Sequence, residues 1–385
     1  MGDMKEVIDE MKAGRTHYSI QIRDAEKLKD YDMKLKFKGH LPVLMLLSNK
    51  AVDEFIKLQP NKIDRENSGK GIIKFAQHSF IAHPSSSKIT ARRKLLTSFL
   101  SLNRSSHHIP GMVSNTLEII DLMEDKKEHD FIHYANILTF NIFTSVLFGN
   151  DMKDLANQLR PYKLADGTYE ELPLREFMIR LFKAYFAQFF HPITSAFKIL
   201  SDYNLVNPFK RDQENTEVFF AGMKELYQNC KDEESICGQI LKNTEISDFD
   251  KFHDLNAFVL AGAETSSHSI VSTLFLLKKY AGTLQKVKEE FVAHGIDKEY
   301  IKAEKLTRES LEELDYLSCV IKEALRIDSP AHETFIYTAK EDITICGVPI
   351  PKGFDIKEDI FSAHYNPNYW KEPETFIPER FDPES

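Results

Sequence analysis

Ala261-Gly262-Ala263-Glu264-Thr265-Ser266 lies in the middle of LNAFVLAGAETSSHSIVSTLFLL (residues 255–277), and this stretch decides how the chain is read. The run is apolar almost all round, the mark of a helix through the middle of a large protein. Ser247 with Asp250 reads as a capping box at its start. Lys278 and Lys279 suit its last turn, and Gly282 can end it. Gly costs about 1 kcal/mol relative to Ala inside a helix. Gly262 therefore needs a reason, and close approach of a bulky group is one. Glu264 and Thr265 put an acid and an alcohol into the same run, where an unpaired carboxylate is expensive to bury. The ordinary reading is a small-residue crossing with Glu264 bonded to a neighbour. The functional reading is a distorted helix facing a cofactor, with Thr265 and Glu264 relaying protons to it.

Toward the C-terminus, DYLSCVIKEALRI (315–327) reads as a helix capped by Asp315 and stopped by Pro330. Glu323 and Arg326 share one of its faces. Such a pair is ordinarily solvated and worth a few tenths of a kcal/mol. Here the neighbours Tyr316, Leu317, Val320, Ile321 and Leu325 are apolar, which favours a buried ion pair with further partners. Arg380, in Pro378-Glu379-Arg380-Phe381, offers the missing donor and could reach Glu323 bidentately. Between these segments, TFIYTA (334–339) and DITICGVPIPKG (342–353) read as extended, with turns at Gly347 and Gly353.

Toward the N-terminus, residues 88–247 read as mainly helical. TARRKLLTSFL (90–100) sets Arg92 and Arg93 on a helix, ordinarily a solvated basic face, alternatively a clamp on an anionic group. Tyr18 to Ile22 and Leu41 to Leu47 resemble strands, Ala51 to Leu58 a short helix. The strand clusters near the two ends are expected to pair with each other. Gly69-Lys70 lacks the other residues of a phosphate-binding loop.

Composition narrows the class. The 385 residues are 42% hydrophobic and 28% charged, with 28 Phe and 14 Tyr to fill a large core. A net charge of −9 provides no global basic field for nucleic acid. Cys230, Cys237, Cys319 and Cys346 form no CxxC pair and no zinc-type spacing, so no protein metal-ligand set is expected. The acidic start is no secretory signal, and a reducing, cytosol-facing compartment fits. Residues 131–149 form the longest apolar candidate for a membrane span. They carry His133, Asn136, Thr139, Asn141 and Thr144, so a buried helix is expected and no anchor.

Taken in order, AGxET, a KExLR helix, GxxIPKG and YWxxPxxFxPERF (369–381) resemble the cytochrome P-450 family. The resemblance is specific over residues 245–381, weaker over 92–151, and compatible before that. It implies a single domain over residues 1–385, mainly α with small β-sheet regions, a helical prism holding haem b (heme). It implies a monooxygenase that inserts one atom of dioxygen into a small apolar organic substrate, with electrons from NADPH through a partner reductase. Ala261, Gly262, Glu264 and Thr265 match the oxygen-activation motif, where the glycine opens room above the iron and the acid and alcohol steer protons. Glu323, Arg326 and Arg380 match the structural Glu-Arg-Arg triad. Arg93, or Arg92 if the register slips, matches the haem-propionate arginine.

Departures from the family pattern matter. Ile89 stands where a Trp often precedes the propionate arginine, and Tyr337 stands nearest an expected Arg. The cysteine loop FxxGxRxCxG would follow PERF, so the axial Cys is expected beyond Ser385 and this chain is expected to be inactive and an incomplete gene product. A full-length form would face the cytosol, with the endoplasmic reticulum membrane as its site. The competing expectations are a non-catalytic binding protein that keeps the fold and a haem-thiolate isomerase, against which Thr265 argues. Substrate lining is expected from the loop after Gln59, from Phe177 to Phe197, from Phe258 and from Ala331 to Ile336.

Overall fold

A computed structural model describes residues 9–10, 12–14, 18–38, 41–65, 76–100, 106–123, 130–190, 207–303 and 305–383. Gly69-Lys70 and the part of the expected lining beyond residue 190 lie outside the described residues. The chain divides into two compact units. One comprises residues 1–90, 181–214 and 331–375, the other residues 91–180, 215–330 and 376–385.

The first unit is built on a five-stranded sheet. Its elements are α1 (Tyr18–Lys27), β1 (Met33–Lys38), β2 (Leu41–Leu46), α2 (Asn49–Leu58) and β3 (Ile63–Asp64) from the N-terminal part. The C-terminal part adds β6 (Tyr337–Ala339), β7 (Ile343–Ile345), β8 (Val348–Ile350) and β9 (Asp355–Glu358). The sheet order is β1-β2-β9-β6-β3, so the two ends of the chain do pair. β2 and β9 run parallel, from Val43 opposite Asp355 to Leu46 opposite Glu358. The unbroken apolar sequence of β2 follows from its place inside the sheet. Leu44 and Leu46 join Phe55, Ile345 and Ile356 on one face, and Val43, Met45 and Leu47 join Leu28 on the other.

Tyr18–Ile22 is helical, not a strand. Its apolar residues serve a helical face, where Ile22 and Ala25 pack on Phe361 and Tyr365. β7 and β8 are joined by Cys346-Gly347, both with positive φ (48° and 76°). That pairing of conformations suits a two-residue hairpin. Glu54 Oε2 accepts the Cys346 N–H at 2.7 Å.

The second unit is helical. It contains α4 (Ile109–Asp121), α5 (Phe131–Phe148), α8 (Ile236–Leu241), α9 (Asp248–Lys279), α10 (Ala281–Ala293) and α11 (Asp315–Ile327). Helices α3 (Ser87–Phe99), α6 (Leu174–Phe190) and α7 (Asn207–Asn229) complete the helical set used below. A hairpin, β4 (Arg160–Lys163) with β5 (Tyr169–Leu172), interrupts the expected helical region. Its turn holds Asp166 and Gly167 (φ 88°), a recognisable hairpin signal.

Helix α9 runs unbroken and packs along α5. Ser247 caps it by accepting the Asp250 N–H, but the Asp250 carboxylate turns to Arg92 rather than closing a capping box. Tyr280, not Gly282, ends it, and Gly282 lies in α10. The start of α11 is capped from outside. Glu290 of α10 accepts the N–H groups of Tyr316 and Leu317 at 2.6 and 2.9 Å, while Asp315 is the first helical residue. Leu276, Leu277, Val287, Val320, Ala324 and Phe376 form the apolar cluster these elements share.

Candidate active site

On α9, Leu255, Val259, Ala263 and Ser267 are buried, a stripe with four-residue spacing. Ala261 and Thr265 lie on an exposed face, and Glu264 and Gly262 are half-buried between. Thr265 Oγ1 donates to the Ala261 carbonyl at 2.6 Å. Ser269 and Thr273 repeat the same bond to Thr265 and Ser269 at 2.9 and 2.7 Å. This row of back-bonded hydroxyls leaves the helix unbroken. The small side chains of Ala261, Thr265 and Ser269 leave that face low in profile.

The bulky group that approaches Gly262 is the ring of Phe143 on α5. A Cβ at Gly262 would stand 2.1 Å from Phe143 Cε1. The glycine thus has a packing reason within the chain. Gly262→Ala is expected to destabilise by about 1–3 kcal/mol through overpacking. Gly262→Ala with Phe143→Leu should recover part of that loss. Urea unfolding of the three variants checks both.

Arg92 and Arg93 part company. Arg92 is buried on α3, where its Nε and Nη2 donate to the Asp254 carboxylate at 2.8 and 2.5 Å and its Nη1 to Asp250 Oδ1 at 3.0 Å. The fork is committed to two carboxylates four residues apart on α9. Arg93 is half-buried on the next position round the helix.

Next to the AGAETS segment, His268 Nε2 lies 3.3 Å from Asp328 Oδ2. The Asp328 carboxylate beside it raises the imidazole above its ordinary 6.5 against the opposing pull of burial, and Glu264 adds to the rise. Burial lifts the Asp328 carboxyl, but His268 and Ser272 beside it outweigh burial and hold the group below 3.8. The raised histidine contributes stability that is present below 6.5 and lost as pH rises through its folded value. The depressed carboxyl contributes stability present above 3.8 and lost as pH falls through its own folded value. Asp328→Asn should therefore cost most between pH 3.8 and 6.5, with the difference from the parent shrinking above that window. Urea unfolding across pH checks this.

Glu323, Arg326 and Arg380 come together. Glu323 is fully buried (0%) and Arg326 nearly so (1%). Arg326 makes the two-pronged pair, its Nε and Nη2 donating to Glu323 Oε2 and Oε1 at 2.7 and 2.8 Å. Arg380 Nε and the Ile377 N–H donate to Oε1 at 3.0 and 2.9 Å. The carboxylate thus locks the Pro378–Phe381 turn onto α11. Glu379, beside Arg380, accepts from Lys286 and the Tyr316 hydroxyl at 2.7 and 2.9 Å and fastens the outer side of the same turn.

The four cysteines form no disulfide. Cys319 is buried on α11, and Cys346 occupies the hairpin turn, where burial pushes its thiol up to about 11. Cys230 Sγ donates to the Phe148 carbonyl at 3.3 Å and meets Ser235 Oγ at 3.2 Å, and Cys237 Sγ reaches the Tyr227 carbonyl at 4.0 Å. A cavity of about 440 Å³ lies elsewhere in the second unit, lined by Phe99, His108, Asn115, Ser145 and Gln239 among others, and does not include Thr265. Among the described residues, Phe131–Phe148 is the one helix long and apolar enough to cross a membrane. Its Phe140, Thr144, Leu147 and Phe148 are buried. No group of three or more His, Cys, Asp or Glu among the described residues could hold a metal ion.

Comparison with known proteins supplies the family. The model of the family "Cytochrome P450" matches residues 29–385. The chain belongs to the cytochrome P450 family. It is 27% identical to Cytochrome P450 3A31 of Mesocricetus auratus over 257 residues, which is 64% of this chain and 48% of that protein. It is 27% identical to human Cytochrome P450 3A5 over 253 residues, 63% of this chain and 48% of that protein. It is 36% identical to (1S)-1-hydroxy-luvungin A synthase of Citrus sinensis over 140 residues, 36% of this chain and 28% of that protein. The chain spans about half the length of the first two relatives. Membership of the P450 family accounts for the mainly helical fold with small sheets and implies haem as the family's cofactor, monooxygenation as its chemistry and a reductase as its electron source.

Proposed function

We propose that this chain carries the oxygen-activation side and the structural scaffold of a haem monooxygenase acting on a small apolar organic substrate. The observation that carries the reading is the exposed, low face of α9 with Thr265 on it and the half-buried Glu264 preceding it in the chain. When bound, haem supplies the iron at which dioxygen is reduced. Ala261 and Gly262 would shape the floor, and Thr265 and Glu264 would hold and pass protons there. Thr265 Oγ1, which donates to the Ala261 carbonyl at 2.6 Å, would be the hydroxyl that holds a proton on this face. Arg93 would take a haem propionate, since Arg92 is held by Asp250 and Asp254. The residues fit the distal side of the group. The reading assigns none of the four cysteines as the iron ligand: Cys237 and Cys319 are buried, Cys346 sits in a hairpin turn and Cys230 donates to the Phe148 carbonyl.

The reading assigns the chain to one P450 domain, with NADPH electrons delivered by a partner reductase. It places the protein on the cytosolic side, at the endoplasmic reticulum for a membrane-attached form. The test isolates the native protein with an antibody against this chain and supplies NADPH, reductase and isotopically labelled dioxygen. One labelled oxygen atom per product, lost in Thr265→Ala, is expected. A native protein that binds no haem would overturn the proposal in favour of a binding protein that keeps the fold.

A further inference from the structure

The cavity of about 440 Å³ in the second unit lies where the end of α3, the start of α4, the last turns of α5 and the start of α8 meet. That volume takes a small organic molecule. One of its lining residues, Asn115 in the second turn of α4, is 6% exposed. Its Nδ2 donates to the Gly111 carbonyl at 2.8 Å, and among the described residues nothing donates to its Oδ1. A carbonyl can take only the N–H end of the amide, so this bond settles which end of the side chain is which. A buried acceptor left without a donor costs free energy, and Asn is a poor residue for a helix interior. The cavity is the space from which a donor can reach it.

The rest of the lining sets the charge of that donor. Asp232 and Glu234 line the cavity, and among the described residues its lining holds no Lys or Arg. Asp232 Oδ1 accepts the N–H groups of Glu234 and Ser235 at 2.9 and 3.3 Å, which fixes its carboxylate just before the start of α8. Burial, and after it the neighbouring His107, hold the His108 imidazole below 6.5 against the pull of Asp232. His108 is therefore largely uncharged at neutral pH and does not offset the two acids. Met112, Ile142 and Val146 give the lining apolar surface.

We propose that this cavity binds a small aliphatic amine carrying one ammonium group and a second N–H or O–H donor, a diamine or an amino alcohol. The ammonium group pairs with Asp232 and Glu234, the alkyl chain lies on Met112, Ile142 and Val146, and the second donor satisfies Asn115 Oδ1. An anion would meet two carboxylates with no basic side chain to answer it. A bare metal ion finds no group of three or more His, Cys, Asp or Glu among the described residues. This inference is independent of haem and of the oxygenase reading, since the cavity does not include Thr265.

The test titrates the whole purified chain with 1,4-diaminobutane by isothermal titration calorimetry at neutral pH and physiological salt. Saturable binding to a single site per chain is expected. Butylamine lacks the second donor and should bind at least about tenfold more weakly, the worth of one hydrogen bond to a buried acceptor. Butanedioate, of similar length and opposite charge, should not bind. Asn115→Leu should remove the preference for the diamine over butylamine. Asp232→Asn should weaken both amines at least about tenfold, the scale of one charge-assisted bond. Unchanged circular dichroism shows that each variant keeps the fold. Glu289→Gln, which replaces an exposed acid of α10 outside the lining, should change neither affinity. No saturable binding, binding of butanedioate, equal affinity of the parent chain for the two amines, or the same loss in Glu289→Gln as in Asp232→Asn would overturn the proposal.

Discussion

Glu323→Gln is expected to cost about 3–5 kcal/mol of stability, the penalty for breaking a buried ion pair by removing one partner. The substitution keeps the volume and one carbonyl oxygen for the Ile377 N–H, which lies 2.9 Å from Glu323 Oε1. What it removes is the charge that faces Arg326 and Arg380 at 2.7 and 3.0 Å in a fully buried position. Two guanidinium groups are then left against one another with a neutral amide between them. Replacing Glu323, Arg326 and Arg380 together by apolar side chains of similar volume should cost less than Glu323→Gln alone, because no uncompensated charge remains. Lys286→Ala, at the half-exposed pair with Glu379, is the control and should cost under about 1 kcal/mol. Urea unfolding checks all three, and a loss below about 1 kcal/mol for Glu323→Gln would remove the triad from its structural role.

Arg92→Ala is expected to cost a similar amount, about 3–5 kcal/mol, for the opposite reason: it strands two buried carboxylates. Asp250 and Asp254 stand four residues apart on one face of α9, an arrangement that repels in isolation. The Arg92 fork resolves it with bonds to both. Asp250 has the further support of the helix N-terminus, but Asp254 lies a turn deeper and does not. Arg92→Lys should fall between the parent and Arg92→Ala, since an ammonium keeps the charge and loses the planar fork. The haem-free chain shows the effect of Arg92, whereas the effect of Arg93→Ala should appear as weakened haem binding. An Arg92→Ala chain as stable as the parent would contradict the assignment.

These two networks also show what a sequence can and cannot disclose. Glu323, Arg326 and Arg380 were legible because one helix spacing and one Pro-bounded turn carry all three, and the apolar neighbours of Glu323 demanded burial. Arg92 and Arg93 were not separable from sequence. Adjacent residues on a helix point about 100° apart, and the carboxylates that choose between them lie on a distant helix. Gly262 announced a close approach but not its partner, Phe143. The cap of α11 was misplaced on Asp315 because Glu290, from the preceding helix, supplies it. Tyr18–Ile22 was read as a strand because five residues cannot separate a period of 2 from one of 3.6; the partners that decide it, Phe361 and Tyr365, lie near the other end of the chain.

The central claim is that this chain supplies the distal, oxygen-activating side of a P450 site and that none of its four cysteines is the iron ligand. The most direct measurement is the reduced carbon-monoxide difference spectrum of the purified 385-residue chain, expressed with a haem supply. The account predicts no thiolate-type Soret band. A thiolate-type band that disappears on replacing one of Cys230, Cys237, Cys319 or Cys346 by Ala would contradict it.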